Sequence, residues 1–507
     1  MDPVTDNKRI AKNTIFLYIR QFVIMGVTLF TFRMVLELLG INDFGTYNVI
    51  GGIVILFSFI SGALTQSTQR YLSFQIGKND ATALQQVFSM SLNIYGLACI
   101  VILILAETIG LWFVNKYLEF PTGDIFAANV VYQCTIISLL FQILQLPYQA
   151  AIISFEKMNF FAYLSILEAI LKLVVVIILF SITTNRLIWY AASLSGVSIL
   201  ICITYKSYCT QRFTSCKYSQ FWNKQTFKEL ISFGGWNLLG SASNVATQQG
   251  INILFNIFIG VSVNAAMGVA NQVCNAVNTF VTNFQTAFNP QIIKLYAMNE
   301  QEAFFNLIFR ASRISFMLLF IIGLPIIICC KPILSLWLTE IPPNSIQFIQ
   351  LMMVFGLIDA LSGPLWVSAQ ASGRIKWYMI LISSMISLNI PIAFILLRYG
   401  VSPIYVILIR VVLNFIIANV RIFYLKHLIN LPVGKYYQRV MIPIIIVCLI
   451  SFPIPLYLYD FTNTITGKFL LFVLTFIIAF INSTFLLLTR SEKSTIANKL
   501  NRMIHRI

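Results

Sequence analysis

Apolar residues occur along this chain in long runs, which short polar and basic segments separate. A helix needs about 20 apolar residues to cross the hydrocarbon core of a bilayer, and the runs reach that length. We therefore predict an all-α polytopic membrane protein with fourteen membrane-spanning helices and short loops. The predicted helices, numbered in chain order, lie near 13–38, 44–66, 86–113, 126–153, 161–182, 187–208, 231–259, 264–288, 307–330, 346–369, 377–399, 403–426, 440–459 and 466–489.

The composition excludes an ordinary soluble domain. Of the 507 residues, 58% are hydrophobic and only 10% are charged, whereas soluble domains carry roughly 25% charged residues. The nine cysteines form no CxxC pair and the only histidines are His427 and His505, so no disulfide framework, metal site or cofactor is expected. No cleavable signal peptide is expected either, because the first apolar stretch is too long for one.

The basic residues set the predicted orientation. Lys and Arg number 34 against 17 acidic residues, a net charge of +17, which in a soluble protein would indicate nucleic acid. Here they concentrate in alternate loops, so the positive-inside rule predicts that both termini are cytoplasmic. We expect no nucleic-acid partner. The tail after Arg490 fits either an amphipathic helix on the membrane surface or a solvated basic tail.

The two halves of the chain resemble each other weakly. One offset lays Leu39 on Ile259, and a slightly shorter one lays Pro147 on Pro364; they are called here the first and second offset. Such offsets predict parallel repeats with the substrate path between them. The predicted divisions are an N-lobe at 1–215 with helices 1–6, a C-lobe at 216–430 with helices 7–12, and a segment at 431–507 with helices 13, 14 and the basic tail.

Two prolines lie at matching positions of this repeat. Pro147 falls inside helix 4 and Pro364 inside helix 10. Proline removes a backbone hydrogen bond and kinks a helix, although prolines are common in membrane helices. Both are candidate hinges.

Polar residues inside the predicted spans concentrate on helices 2, 7 and 8. A 4-3-4-3-4 spacing places those of helix 8 on one face, and Gln248 belongs to a similar set on helix 7. Such a face either packs against neighbouring helices or lines a water-filled path, which we favour. The set on helix 8 consists of Asn271, Asn275, Asn278, Thr282, Gln285 and Asn289.

Embedded charges indicate the kind of substrate. Arginine keeps its proton, so an arginine inside a membrane needs an anion. Arg20 and Arg33 lie in helix 1, Lys172 in helix 5 and Arg410 in helix 12. Spare positive charge in a cavity predicts an anionic substrate, phosphate or diphosphate above all.

Four embedded or near-membrane acids are available to balance these cations, namely Glu37, Glu107, Glu168 and Asp359. Glu37 lies one turn after Arg33 and is a candidate partner for it. Glu168 lies one turn before Lys172, and we predict that the two form an ion pair. Asp359 has no cation nearby in the sequence. Three roles stay open for it, namely a proton or sodium site, a partner for Arg20, and a protonated carboxyl group. Glu168 and Asp359 are the candidate ion-coupling residues.

The twelve duplicated helices resemble a known family, and the resemblance is sharpest in the first eighty residues. The segments that carry the resemblance are Leu17-Tyr18-Ile19-Arg20, the run at 33–40, the run at 44–52 and Thr68-Gln69-Arg70-Tyr71-Leu72-Ser73. Together they are similar to bacterial polysaccharide-repeat-unit flippases, which export lipid-linked O-antigen and capsule units and belong to the multidrug/oligosaccharidyl-lipid/polysaccharide (MOP) exporter superfamily. Many relatives have twelve spans, so helices 13 and 14 are a departure.

This resemblance implies a specific function. The expected protein is an inner-membrane flippase, not an enzyme, that moves an undecaprenyl-diphosphate-linked oligosaccharide by alternating access through a cavity lined by helices 1, 2, 7 and 8. Arg20 matches an arginine that recurs in such cavities. Membrane lipids, a polysaccharide polymerase and chain-length machinery are the expected partners. The candidate substrate-binding residues are Arg20, Arg33, Lys172, Gln248, Asn271, Asn275, Asn278, Gln285 and Arg410.

Two alternatives to this function remain open. Lipid II flippases also have an extra helix pair, which keeps that substrate in view. A multidrug-type antiporter of cations should present spare carboxylates in its cavity, whereas this chain presents spare arginines.

Overall fold

The computed structural model describes residues 3–117, 125–259, 261–337, 341–462, 464–489 and 492–493. Every element in these ranges is helical. The α-helices are α1 (Pro3–Lys78), α2 (Ala81–Leu105), α3 (Leu111–Tyr117), α4 (Ile125–Ser154), α5 (Met158–Leu179), α6 (Arg186–Arg212), α7 (Lys224–Phe258), α8 (Val261–Ala297), α9 (Gln301–Ile328), α10 (Cys330–Trp337), α11 (Ser345–Ser372), α12 (Lys376–Ser387), α13 (Asn389–Arg398), α14 (Pro403–Ile429), α15 (Val433–Tyr436), α16 (Ile442–Ser451), α17 (Pro453–Phe461) and α18 (Ile465–Leu487).

The predicted all-α class is confirmed, and polarity separates two groups of helices. Within the described residues, ten helical segments are long and apolar enough to cross a membrane. They coincide with predicted helices 3–6 and 9–14. The four remaining predicted spans, helices 1, 2, 7 and 8, fall in α1, α7 and α8. These are the helices on which polar residues were expected to line a path.

One predicted boundary is wrong. Helices 1 and 2 were expected to be separate, but α1 runs without interruption from Pro3 to Lys78. No proline lies between Pro3 and Pro121, and glycine alone costs a helix only about 1 kcal/mol. Gly40 and Gly45 therefore do not end the helix.

Helix bounds repeat with the two offsets found in the sequence. The first offset, which lays Leu39 on Ile259, also lays the start of α2 at Ala81 on the start of α9 at Gln301. The second offset lays α6 on α14 at both ends, Arg186 on Pro403 and Arg212 on Ile429. The duplication is therefore present in the helices as well as in the residues.

The turns repeat in the same way. Asn79 (φ 56°) precedes α2, and the first offset lays it on Asn299 (φ 57°), which precedes α9. Asparagine is one of the few residues that tolerate this left-handed conformation. Both repeats thus use the same turn at the same position.

The chain divides into two compact units, Met1–Leu238 and Leu239–Ile507, called here the first and second unit. In the first unit, α1 packs against α4 and α5, and α4 packs against α6. In the second unit, α11 packs against α8, α9 and α14, and α18 packs against α9. α4 and α11 each contain the predicted hinge proline, Pro147 or Pro364, and each helix continues through it. Their role as hinges stays a prediction.

The segment after α18 is attached to α9. Glu492 forms ion pairs with Arg310 (3.0 Å) and Arg313 (3.6 Å). Its carboxylate also accepts a hydrogen bond from the Thr489 backbone N–H at 2.7 Å, an arrangement typical of a helix start. The rest of the tail, from 494 onward, lies outside the described residues, so its two predicted forms stay predictions.

Candidate functional site

In the first unit, a cation rests on an aromatic ring. The guanidinium Cζ of Arg20, on α1, lies 4.7 Å from the ring centroid of Phe161, on α5. An arginine over an aromatic face gains electrostatic energy from the ring itself. α1 and α5 thereby hold this positive charge at a fixed place.

A second charged group of the first unit is an ion pair on α5. Lys172 Nζ lies 2.7 Å from Glu168 Oε1, which confirms the predicted pairing. The side chains are 42% and 30% exposed, so each remains accessible. The pair carries no net charge. The substrate-binding role of Lys172 and the ion-coupling role of Glu168 stay predictions.

The second unit carries its embedded charges on α11 and α14. Arg410 is buried, with its Cζ 4.9 Å from the Phe355 ring centroid and its Nη1 4.0 Å from Met352 Sδ. Asn414 Nδ2, one turn further along α14, donates to the Phe355 carbonyl at 3.2 Å. Arg410 is thus held by sulfur and aromatic groups rather than by a carboxylate.

These contacts fix how the two helices align. Met352 pairs with Arg410, 58 positions later, and Phe355 pairs with Asn414, 59 positions later. The partner on α14 therefore lies further along the chain when the residue on α11 does. The helices therefore run parallel. The same offset places Asp359 of α11 level with Ile417 and Ala418 of α14.

Asp359 is accessible although its helix neighbours Leu357 and Ala360 are buried. It interacts electrostatically first with Arg421 and then with Arg410. Among the residues that the structure describes, none forms an ion pair with Asp359 at a distance that a salt bridge requires. One carboxylate therefore stands between two arginines without bonding directly to either.

Arg421 is the member of this cluster that sequence reasoning missed. Its Nη1 donates to the Tyr378 hydroxyl at 3.3 Å. Tyr378 is fully buried and stacks on Trp366, with 5.7 Å between ring centroids. The Nε of Arg421 is buried and has no hydrogen-bond partner in the described part of the chain. The spacing from Arg410 to Arg421, about three helical turns, was the available signal.

The polar face of α8 divides into two rows. Gln285 packs against Gly363 of α11, where a methyl group would overlap its amide, and donates to the Ala360 carbonyl at 3.4 Å. Asn278 lies two turns before Gln285 on α8, and it packs against Gly356, which lies two turns before Gly363 on α11. These two amides join helices, as polar residues often do in membrane proteins.

The other polar residues of α8 differ in exposure. Asn275 and Thr282 are exposed, whereas Asn271 and Asn289 are half-buried, as are Asn278, Gln285 and Gln248 of α7. Packing therefore describes Asn278 and Gln285, and access to a path describes Asn275 and Thr282. Arg33 belongs to α1, but its side chain lies outside the described part of the structure.

Comparison with known proteins identifies the fold. No protein-family model and no curated protein matches the sequence. Solved structures do match, including an outward-facing multidrug resistance MATE family transporter of the MOP superfamily and a MATE in its straight conformation. Each has a TM-score of 0.72 at 14% identity and covers 85% of this chain and 97% of its own.

A third similar structure is a MOP superfamily transporter from Pyrococcus furiosus, with a TM-score of 0.72 at 14% identity over 85% of this chain and 96% of its own. For that protein, the reverse polarity of the binding pocket suggests a different function. The present chain is a multi-pass membrane protein with the fold of these transporters.

Proposed function

We propose that this chain is a flippase that moves undecaprenyl-diphosphate-linked oligosaccharide repeat units across the bacterial inner membrane by alternating access, for O-antigen or capsule synthesis. The observation that carries the proposal is the excess of embedded arginine. Arg410 and Arg421 share one carboxylate, Asp359, and Glu168 is already neutralised by Lys172. A diphosphate is the anion that arginine binds best, through paired hydrogen bonds.

Each unit contributes its own candidate residues. In the first unit, Arg20 is the proposed ligand of the diphosphate, with Arg33 as a further candidate. In the second unit, the proposed cations are Arg410, which is buried, and Arg421. Asn275, which is exposed on α8, contacts sugar hydroxyls together with Gln248 and Asn271 (both half-buried). Asn278 and Gln285 support that face through their contacts with α11. The isoprenoid tail stays in the lipid, and both chain termini are cytoplasmic.

A multidrug-type cation antiporter shares this fold, so charge must discriminate between the two functions. A cation binder needs a carboxylate free of positive neighbours, whereas Asp359 stands between two arginines. The Pyrococcus furiosus transporter offers a parallel, since there too the polarity of the pocket suggests a function other than that of its fold relatives. Positive polarity supports an anionic substrate here.

Lipid II is the second candidate substrate. The observation in its favour is the pair of apolar segments that follow the duplicated helices, Val433–Phe461 and Thr466–Leu487. Lipid II carries the same undecaprenyl diphosphate, so the arginines would serve it equally.

The test is complementation of a bacterial strain that lacks its own repeat-unit flippase. Wild type should clear lipid-linked intermediates from the cytoplasmic leaflet, while Arg20→Ala, present at equal membrane level, should let them accumulate about tenfold, the effect of losing about 1.4 kcal/mol. Arg398→Ala is the matched control, because Arg398 is exposed at the end of α13 and should be dispensable.

Each contrary outcome has a defined meaning. Full activity of Arg20→Ala would remove Arg20 from the diphosphate site. Rescue of a lipid II flippase deletion instead of a repeat-unit flippase deletion would select lipid II. Proton- or sodium-driven efflux of ethidium by wild type, without either rescue, would select the antiporter.

A further inference from the structure

The charges of the second unit are additions to a duplicated scaffold. Under the second offset, which relates α4 to α11 and α6 to α14, Asp359 aligns with Gln142, Arg410 with Ser193 and Arg421 with Thr204. The helices of the first unit therefore form with neutral residues at all three positions. Embedded charges are costly, so charges that the scaffold does not need indicate a ligand.

The helix register spaces these charges. Asp359 is level with residues 417–418 of α14, so at about 1.5 Å of rise per residue Arg421 lies about 5 Å further along the axis and Arg410 about 11 Å back. Both arginines interact electrostatically with Asp359. Neither approaches it closely enough for an ion pair in the part of the chain that the structure describes.

The two guanidinium groups also differ in how they are held. Arg410 is buried against Met352 and Phe355. Arg421 is bound through Nη1 to Tyr378, and its buried Nε has no hydrogen-bond partner among the described residues. A buried donor without a partner is costly, and a phosphate oxygen is an acceptor that would satisfy it.

We propose that Asp359 is an internal counter-ion that competes with a phosphate or diphosphate anion for the positive field of Arg410 and Arg421. The proposal rests on the proposed function in taking the substrate to be an anionic lipid diphosphate. When the site is empty, Asp359 partly balances the two arginines. When the anion binds, it accepts hydrogen bonds from Arg421 within the positive field to which Arg410 contributes, and the repulsion between Asp359 and the bound anion limits affinity and speeds release.

This role differs from that of a cation site. A sodium ion at Asp359 would lie in the positive field of Arg421 and Arg410, and like charges repel each other. The competing-anion role and the cation-site role predict opposite effects of removing the carboxylate. An anion should then bind more tightly, whereas a cation should no longer bind.

The experiment measures binding of inorganic pyrophosphate to the purified full-length chain in nanodiscs by isothermal titration calorimetry. Asp359→Asn should bind pyrophosphate about tenfold more tightly than wild type, because one nearby negative charge is lost. Arg421→Gln should bind about tenfold more weakly, and Arg410→Gln should weaken binding less, because Arg410 acts on the anion through its charge at a distance. Asp359→Glu keeps the charge and should bind as wild type does, which guards against an effect of misfolding.

Asp460→Asn is the matched control, since it makes the same charge change at an exposed residue at the end of α17. It should leave pyrophosphate affinity unchanged. Tyr378→Phe removes the hydroxyl that positions Arg421 and should weaken binding less than Arg421→Gln does. A sodium titration of the same samples completes the set.

The outcomes separate the two proposals. Unchanged or weaker pyrophosphate binding in Asp359→Asn overturns the counter-ion role, even if wild type flips lipid-linked glycan. Loss of a sodium response in Asp359→Asn, with pyrophosphate affinity unchanged, assigns a cation site instead. Tighter pyrophosphate binding in Asp359→Asn, in a chain that rescues no flippase deletion, supports the counter-ion role and overturns the proposed lipid substrate.

Discussion

The two units are built from the same duplicated helices but balance their charges differently. In the first unit, Glu168 and Lys172 lie one turn apart on α5 and bond at 2.7 Å. In the second unit, Asp359 lies on α11 and its two arginines on α14, with no contact short enough for an ion pair among the described residues. A pair on one helix keeps its geometry when helices move. Charges on two helices respond to any change in their packing, so the second unit is the better place for a ligand-dependent response.

One device is common to both units. Arg20 lies 4.7 Å from the Phe161 ring centroid and Arg410 lies 4.9 Å from that of Phe355. The two arginines are not equivalent in the repeat, because Arg20 aligns with Gly240 and Arg410 with Ser193. The two contacts between a cation and an aromatic ring are therefore not related by the repeat. Such a contact holds a charge in place without neutralising it.

The largest expected effect comes from making the second unit resemble the first. The triple variant Asp359→Gln, Arg410→Ser and Arg421→Thr installs the residues of the first unit. Transport of lipid-linked glycan should fall about 100-fold, equivalent to about 2.7 kcal/mol, while thermal stability in detergent stays near that of wild type. Flipping in reconstituted vesicles and a thermal-shift assay measure the two quantities.

The control for this variant removes charges outside the candidate site. Arg398→Gln with Asp460→Asn changes two exposed residues and should retain most transport. If the triple variant unfolds, the charges of the second unit belong to its folding, and the distinction between the units is lost.

The next largest effect is a loss of stability when Gly363 is replaced. The second offset aligns Gly363 with Leu146 of the first unit, and any side chain at position 363 would overlap the Gln285 amide. Gly363→Leu should lower the free energy of unfolding by about 2 kcal/mol, since inserting atoms into packed regions costs about 1–3 kcal/mol. Thermal denaturation followed by a thiol-reactive dye measures it.

A second substitution makes that prediction specific. Gln285 aligns with Thr65, and adding Gln285→Thr shortens the side chain that blocks Leu at 363. The double variant should recover at least half of the lost stability. No recovery would mean that the close approach at Gly363 involves the helix backbone rather than the Gln285 side chain.

The sequence predicted the features that depend on local patterns. Apolar runs located the helices, and one-turn spacing identified the Glu168–Lys172 pair. It did not predict Arg421 within the charged cluster, because only the pairing of α11 with α14 brings Arg421 toward Asp359. Nor did it separate Asn278 from Asn275, since both lie on the same broad face of α8, and only the glycines of α11 distinguish a packed amide from an exposed one.

A smaller effect is expected from breaking the local pair of the first unit. Lys172→Met leaves Glu168 without its partner and should destabilise the chain by about 1 kcal/mol, the upper range for a partly exposed pair. Adding Glu168→Gln should restore stability, because no unpaired charge remains. Thermal shift of the two variants tests the pair. A double variant that is less stable than Lys172→Met would show that Glu168 has a further partner.

The smallest expected effect compares two equivalent helix starts. Asp80 caps α2, accepting from the Ala83 backbone N–H at 2.9 Å and from the Thr82 hydroxyl at 2.7 Å, whereas Glu300, its repeat equivalent before α9, makes no side-chain cap bond. These bonds, the one from Ala83 first, hold the pKa of Asp80 below its ordinary value. A lowered pKa means that the cap stabilises α2 above the unfolded pKa of about 3.9 and that this contribution is lost as the pH falls through the folded value.

Asp80→Ala should therefore speed hydrogen exchange of the first-turn amides of α2 severalfold at about pH 7, because a cap that satisfies these donors is removed. Glu300→Ala should leave the first turn of α9 unchanged. With exchange corrected for its intrinsic pH dependence, the difference between wild type and Asp80→Ala should shrink below about pH 3.9 as wild-type Asp80 takes up its proton. Equal acceleration at both helix starts would show that Glu300 caps α9 in the membrane. The two repeats would then share this feature rather than differ in it.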